Sequence, residues 1–139
     1  MLITRETDYA VRTVLYLSRE RDRTANVTEV AHAMHIPKSF LAKVLQRLVR
    51  HHILISMRGV GGGFRLAKKP SEISLLAIME AVQGPAAINV CAIDSTRCSM
   101  SATCSVHPIW VDIRQDMEKR LRRHTMDKLA RYKKPPAGK

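Results

Sequence analysis

Apolar residues recur along most of this chain at helical spacing. Ala10, Val14 and Leu17 share one face of a segment covering about residues 4–19, with Tyr9, Thr13 and Tyr16 beside them, which predicts a first amphipathic helix. Arg21, Asp22, Arg23 and Thr24 read as a loop. Asn26 then offers an N-cap, with Glu29 at capping-box spacing. Val27, Val30, Ala31 and Met34 follow the i, i+3, i+4, i+7 order of a short second helix. After His35-Ile36, Pro37 fits a first helical position, and Leu41, Val44, Leu45 and Leu48 repeat the apolar pattern in a third helix.

The period then changes. Ile53-Leu54-Ile55 is a β-prone run, and Phe64-Arg65-Leu66 resumes a strand-like alternation. Four of the six glycines fall between Gly59 and Gly63, which predicts a hairpin with a glycine-rich tip. Ser74 opens a further helix with Leu75, Ile78, Met79 and Val82 on its buried side and Gly84 as its C-cap. Residues 84–105 carry no period and are expected to be irregular. From about 106 to 131 the chain is expected to be helical again, with Ile109, Ile113, Met117 and Leu121 stepping by four and Trp110 alongside. The segment 132–139, with Lys133, Lys134, Pro135 and Pro136, is expected to be a disordered basic tail. The fold class is therefore mainly α with a small β-hairpin.

Charge sharpens this picture. Lys and Arg total 24 against 12 Asp and Glu, a formal net charge of +12 on 139 residues. With 45% hydrophobic residues the chain can bury a core, so it is not a disordered basic tail throughout. The excess is localised. Residues 30–71 contain no acid but carry Lys38, Lys43, Arg47, Arg50, Arg58, Arg65, Lys68 and Lys69. A second basic block covers 119–139, with Asp127 its only acid. Like charges repel, so a long single-sign stretch implies a polyanionic partner. No apolar run approaches the roughly 20 residues of a membrane span, and the first ten residues, with Arg5, Glu6 and Asp8, lack a signal peptide's apolar stretch. A cytoplasmic protein with no membrane partner is expected. No nucleophile–base or paired-acid motif stands out, so neither an enzyme nor a small-molecule substrate is expected.

Helix, turn, helix and hairpin is the order of a winged helix-turn-helix, whose second helix enters the major groove of double-stranded DNA. Lys38, Ser39, Lys43, Gln46 and Arg47 lie opposite the apolar face of that helix, where polar side chains can reach base edges or phosphates. At the hairpin tip, Arg58 suits the negative potential of the minor groove, and Gly59 lets the backbone come close. A phosphate-binding loop of a nucleotide enzyme is the rival for the glycine run. Such a loop must open a helix, whereas here Phe64-Arg65-Leu66 follows.

Cys91, Cys98 and Cys104 are spaced C-x6-C-x5-C, and His107 follows as C-x2-H. Three thiols and an imidazole within 17 positions can converge on one metal. Such donors suit zinc or an iron–sulfur cluster. By spacing alone a Cys3His zinc protein that binds RNA competes with a cluster protein, and a metal-free thiol sensor is a further alternative.

The segment Arg58-Gly59-Val60-Gly61-Gly62-Gly63-Phe64-Arg65-Leu66-Ala67, followed by Pro70-Ser71-Glu72-Ile73, resembles the wing and next helix of the IscR, NsrR and RirA group of bacterial winged-helix repressors. Thr7-Asp8-Tyr9-Ala10-Val11-Arg12 matches the opening of that group, and the resemblance covers about residues 1–129. It implies a homodimer on a roughly palindromic operator, with a long C-terminal dimerisation helix. The implied organisation is a DNA-binding domain over 1–83, a cluster-binding loop over 84–105 and a dimerisation helix over 106–131. It also implies an iron–sulfur cluster, 2Fe–2S ahead of 4Fe–4S, on Cys91, Cys98 and Cys104. His107 matches the histidine ligand of the IscR branch, and Asp8 stands where the NsrR branch uses a partner-subunit aspartate, so the two are rivals with His107 preferred. The first cysteine gap is one residue longer than the usual IscR spacing. Ala42 replaces a glutamate that tunes operator choice in that branch, so one operator class is expected.

Overall fold

The computed structural model describes residues 2–19 and 22–132. Arg21 of the first loop and residues 133–139 of the tail lie outside the described residues. Helix α1 (Arg5–Arg19) buries Ala10, Val14 and Leu17 as its period predicts, together with Thr7 and Thr13. The two hydroxyls can be buried because each is bonded: Thr13 Oγ1 donates to the Tyr9 carbonyl at 2.8 Å, and Thr7 Oγ1 to Gln83 Oε1 at 2.8 Å.

Helix α2 (Val27–Met34) is capped by Asn26, whose side chain accepts from the Glu29 amide at 2.8 Å. The reciprocal half of the capping box is not made, because the Glu29 carboxylate is taken by the Tyr16 hydroxyl at 2.7 Å and by Arg23. The turn out of α2 passes through His35 in the left-handed region, φ 54° and ψ 47°. Helix α3 (Lys38–Arg50) follows, with Pro37 at its N-cap rather than its first helical position. Leu41, Val44, Leu45 and Leu48 are all buried, as expected.

Strands β1 (Leu54–Met57) and β2 (Gly63–Leu66) pair antiparallel, Leu54 opposite Leu66 and Met57 opposite Gly63. The hairpin is fastened to the body by Ala25 and Phe64, which exchange backbone hydrogen bonds of 3.0 and 2.8 Å. That approach demands glycine at 63, since a Cβ there would stand 2.4 Å from the Ala25 carbonyl oxygen. A short 3-10 turn (Pro70–Glu72) leads to α4 (Leu75–Gln83), capped by the Ser74 hydroxyl on the Ala77 amide at 3.1 Å and ended by Gly84. Ile78, Met79 and Val82 are buried as expected and are joined by Leu76 and Ala81, while Leu75 is half-buried.

Two expectations for the rest of the chain need correction. Residues 84–105 are not wholly irregular: they hold a single-turn helix α5 (Val90–Ile93) and a 3-10 turn (Ser95–Arg97). The expected helix over 106–131 is two helices, α6 (His107–Arg123) and α7 (Met126–Arg131). It breaks because the chain pairs with the segment entering α4. The Leu75 amide donates to the His124 carbonyl at 2.8 Å, and the Met126 amide to the Ile73 carbonyl at 2.9 Å. Met126 is thereby fully buried, in the same core as Val14, Leu45, Leu54 and Ile78. Helix α7 packs on α1 and on the 70–72 turn, so the unit bearing α3 is completed from the C-terminus and not closed at residue 83.

Helix α6 contains no fully buried residue. Steps of four on a helix of 3.6 residues per turn drift by about 40° each. The Ile109 to Leu121 stripe therefore does not stay on one side. Ile109 and Ile113 are 54% and 38% exposed, whereas Met117 and Leu121 are half-buried. No helix among the described residues is long and apolar enough to cross a membrane.

Candidate nucleic-acid interface and cysteine segment

The outward face of α3 is set by its buried one. With Leu41, Val44, Leu45 and Leu48 inward, Ser39, Lys43, Gln46 and Arg50 line up at i, i+4, i+7 and i+11 and all are exposed. Lys38 is exposed at the start of the helix. Among the described residues Lys38, Lys43 and Arg50 make no ion pair. Arg50, not among the contacts expected from sequence, completes the line. Its spacing carried the signal, but a cation in a last turn also suits the helix dipole.

Arg47 does not stand with them. Its Nη1 donates to Glu6 Oε2 of α1 at 2.7 Å and to the Val82 carbonyl of α4 at 2.8 Å. One nitrogen of this guanidinium, expected to contact DNA, is thus tied to α1 and α4, while the side chain stays 43% exposed. Phe40 lies on the same flank, edge-on to Tyr9 with ring centroids 6.4 Å apart. At the hairpin tip Arg58 is exposed and Gly59 has φ +94°, a conformation that favours glycine. The tip closes with the Gly62 amide donating to the Gly59 carbonyl at 2.9 Å.

The three cysteines are free thiols, with Cys91 buried and Cys98 and Cys104 half-buried. Among the described residues no three His, Cys, Asp or Glu side chains stand together closely enough to hold a metal ion, so Cys91, Cys98, Cys104 and His107 share a segment but are not gathered. One atom of the set stands out. His107 Nδ1 is buried with no hydrogen-bond partner, as is Ser101 Oγ. A buried imidazole nitrogen without a partner is costly, and a metal bond would satisfy it. Three free thiols with that nitrogen fit a soft metal centre in their chemistry. Asp8 is engaged elsewhere, in an ion pair with Arg12 at 2.6 Å.

The segment is tied to α6 near the end of α5. Arg114 of α6 donates through Nη1 to the Ala92 carbonyl at 2.7 Å, and through Nε to Glu118 Oε1 at 2.8 Å. Beyond α5, Asp94 accepts from the Thr96 hydroxyl at 2.6 Å and from the Thr96 amide at 3.0 Å. Those two bonds, the hydroxyl's first, hold the Asp94 carboxyl below its ordinary value.

A family model described as "Rrf2: Iron-dependent Transcriptional regulator" matches residues 3–132. Over 120 residues, 85% of this chain and 83% of the relative, the sequence is 32% identical to a protein of Aquifex aeolicus named as an HTH-type transcriptional regulator. It is 31% identical over 110 residues to the HTH-type transcriptional regulator NsrR of Halalkalibacterium halodurans, covering 78% of this chain and 72% of that one. Among solved structures, CymR, the global cysteine regulator of B. subtilis, superposes with a TM-score of 0.77 at 19% identity over 96% of this chain and 99% of its own. That last likeness is one of fold.

Proposed function

The chain belongs to the Rrf2 family of transcriptional regulators, which are not enzymes, and on that premise we propose how it meets DNA and what its cysteines do. The winged helix-turn-helix presents α3 to the major groove. Ser39, Lys43, Gln46 and Arg50 face the bases and Lys38 meets a phosphate. Arg58 enters the minor groove from the wing, and Gly59 admits the backbone beside it. Two copies pair through the exposed Ile109 and Ile113 end of α6, and thereby set the spacing of two recognition helices on a palindromic operator. The domains follow with adjusted boundaries: residues 1–83 together with α7 bind DNA, 84–105 hold the cysteines, and α6 pairs the copies.

Cys91, Cys98, Cys104 and His107 are the residues that would hold an iron–sulfur cluster, 2Fe–2S ahead of 4Fe–4S. When bound, such a group supplies a redox-active and chemically labile centre. The observation that carries this reading is the unpartnered, buried His107 Nδ1 in a segment with three free thiols. The segment must rearrange for the donors to meet, because among the described residues they do not stand together. Cys91 is packed with α5 on α6, so movement of its neighbours bears on the helix that pairs the copies. A change of state alters DNA affinity only if it favours one such arrangement over the other. The separated thiols favour a second reading, in which they respond directly to oxidants without a metal.

The test is the affinity for a duplex selected from a random pool by the anaerobically purified protein. It is measured before and after chelation, in wild type and Cys98→Ala. A change on chelation in wild type and none in Cys98→Ala is expected. Equal affinity throughout, with a shift only on thiol oxidation, would replace this reading with the second.

A further inference from the structure

Arg47 holds the end of one helix to the sides of two others. The carbonyl of Val82 lies in the last turn of α4 (Leu75–Gln83), where helical carbonyls have no helical donor. Arg47 Nη1 supplies one at 2.8 Å, and the same nitrogen is held by Glu6 Oε2 at 2.7 Å. At the next residue Gln83 Oε1 accepts from the Thr7 hydroxyl at 2.8 Å and from the Thr4 amide at 3.2 Å. The start of α1, the last turns of α3 and the end of α4 thus meet at one point, immediately before Gly84, where the cysteine segment begins. The side chains of Arg47 and Glu6 are 43% and 35% exposed. A clasp so near the surface adjusts the placement of a helix more than it holds the core together.

We infer that Arg47 is a positioning residue: with Glu6 it sets the tilt of α3 and links that helix to the junction from which the cysteine segment departs. This rests on the reading of α3 as the recognition helix. A residue that contacts phosphate and one that positions a helix leave different marks. Loss of a phosphate contact lowers the slope of log affinity against log salt by about 1. Loss of a positioning contact weakens binding at every salt concentration and leaves the slope alone. Glu6 sharpens the contrast. Simple electrostatics has its removal strengthen binding to DNA, whereas the clasp has it weaken binding.

The experiment measures affinity for the selected duplex across a salt series, for wild type, Arg47→Met, Arg47→Lys, Glu6→Gln and Lys43→Ala. Arg47→Met and Glu6→Gln are expected to bind about two- to fivefold more weakly with unchanged slope, as loss of a half-exposed ion pair implies. Arg47→Met combined with Glu6→Gln is expected to bind no worse than Arg47→Met alone. Arg47→Lys keeps the charge, but its ammonium ends one atom short of the Nη1 that makes both bonds, so it is expected to lose affinity as well. A slope reduced by about 1 in Arg47→Met, retained affinity in Arg47→Lys, or tighter binding by Glu6→Gln overturns the inference. Should Arg47→Met fail to fold, the other two variants carry the same contrast. Lys43→Ala separates the two readings: unchanged affinity and slope there refute the recognition-helix reading itself.

Discussion

Replacing Arg114 with methionine should release the segment that carries Cys91. Helix α5 is one turn long, so nearly all its carbonyls lack helical partners. Arg114 Nη1 serves that of Ala92 at 2.7 Å, and Glu118 holds the guanidinium from the other side at 2.8 Å. The two side chains are 23% and 20% exposed, so solvent screens the pair only in part. A hydrogen bond from a charged group nets about 1.5–3 kcal/mol. Allowing for that screening leaves about 1–2 kcal/mol holding α5 on α6. Cys91 is 8% exposed, and a thiol reagent reaches it only when this piece opens locally. Removing 1–2 kcal/mol multiplies the open population about 5–30-fold. The assay is the labelling rate of Cys91 by a thiol reagent in reduced protein whose other two cysteines are serine. Arg114→Met should label about tenfold faster, and Glu118→Gln should show a smaller increase. An unchanged rate in Arg114→Met would refute the clamp, whatever its distances.

Three further outcomes follow from the same structure. Met126→Ala should lower unfolding free energy by about 2–5 kcal/mol in a denaturant titration, whereas a Met126 on a mere extension of α6 would cost little. Gly63→Ala forces a Cβ to 2.4 Å from the Ala25 carbonyl oxygen; it should detach the hairpin and weaken DNA binding while helical circular dichroism is kept. Arg58→Ala should weaken binding and reduce the salt slope by about 1, and an unchanged slope would remove Arg58 from the interface.

The helices were legible because burial follows their period: Leu41, Val44, Leu45 and Leu48 stand inward as their spacing requires. The break at His124 was not. Its cause is pairing with Ile73 and Leu75, some fifty positions upstream, and no Pro or Gly between Leu121 and Leu129 marks it. The partners of Arg47 were hidden for a similar reason. Its charge and spacing placed it with the outward cations, and only the fold brings Glu6, 41 positions away, against it. The cysteine cluster was plain in sequence, but spacing cannot say whether the donors meet, and in the structure they remain apart. The unpartnered nitrogen of His107 had no sequence signal beyond its place three residues after Cys104, at the start of α6.

We propose that the cysteine segment holds an iron–sulfur cluster that governs a DNA-binding regulator. The most direct test is quantitation of iron, acid-labile sulfide and zinc in anaerobically purified wild type and Cys98→Ala. Iron and sulfide in matching amounts in wild type, lost in Cys98→Ala, are the result expected. Wild-type protein without sulfide, or a full complement retained in Cys98→Ala, would contradict the claim.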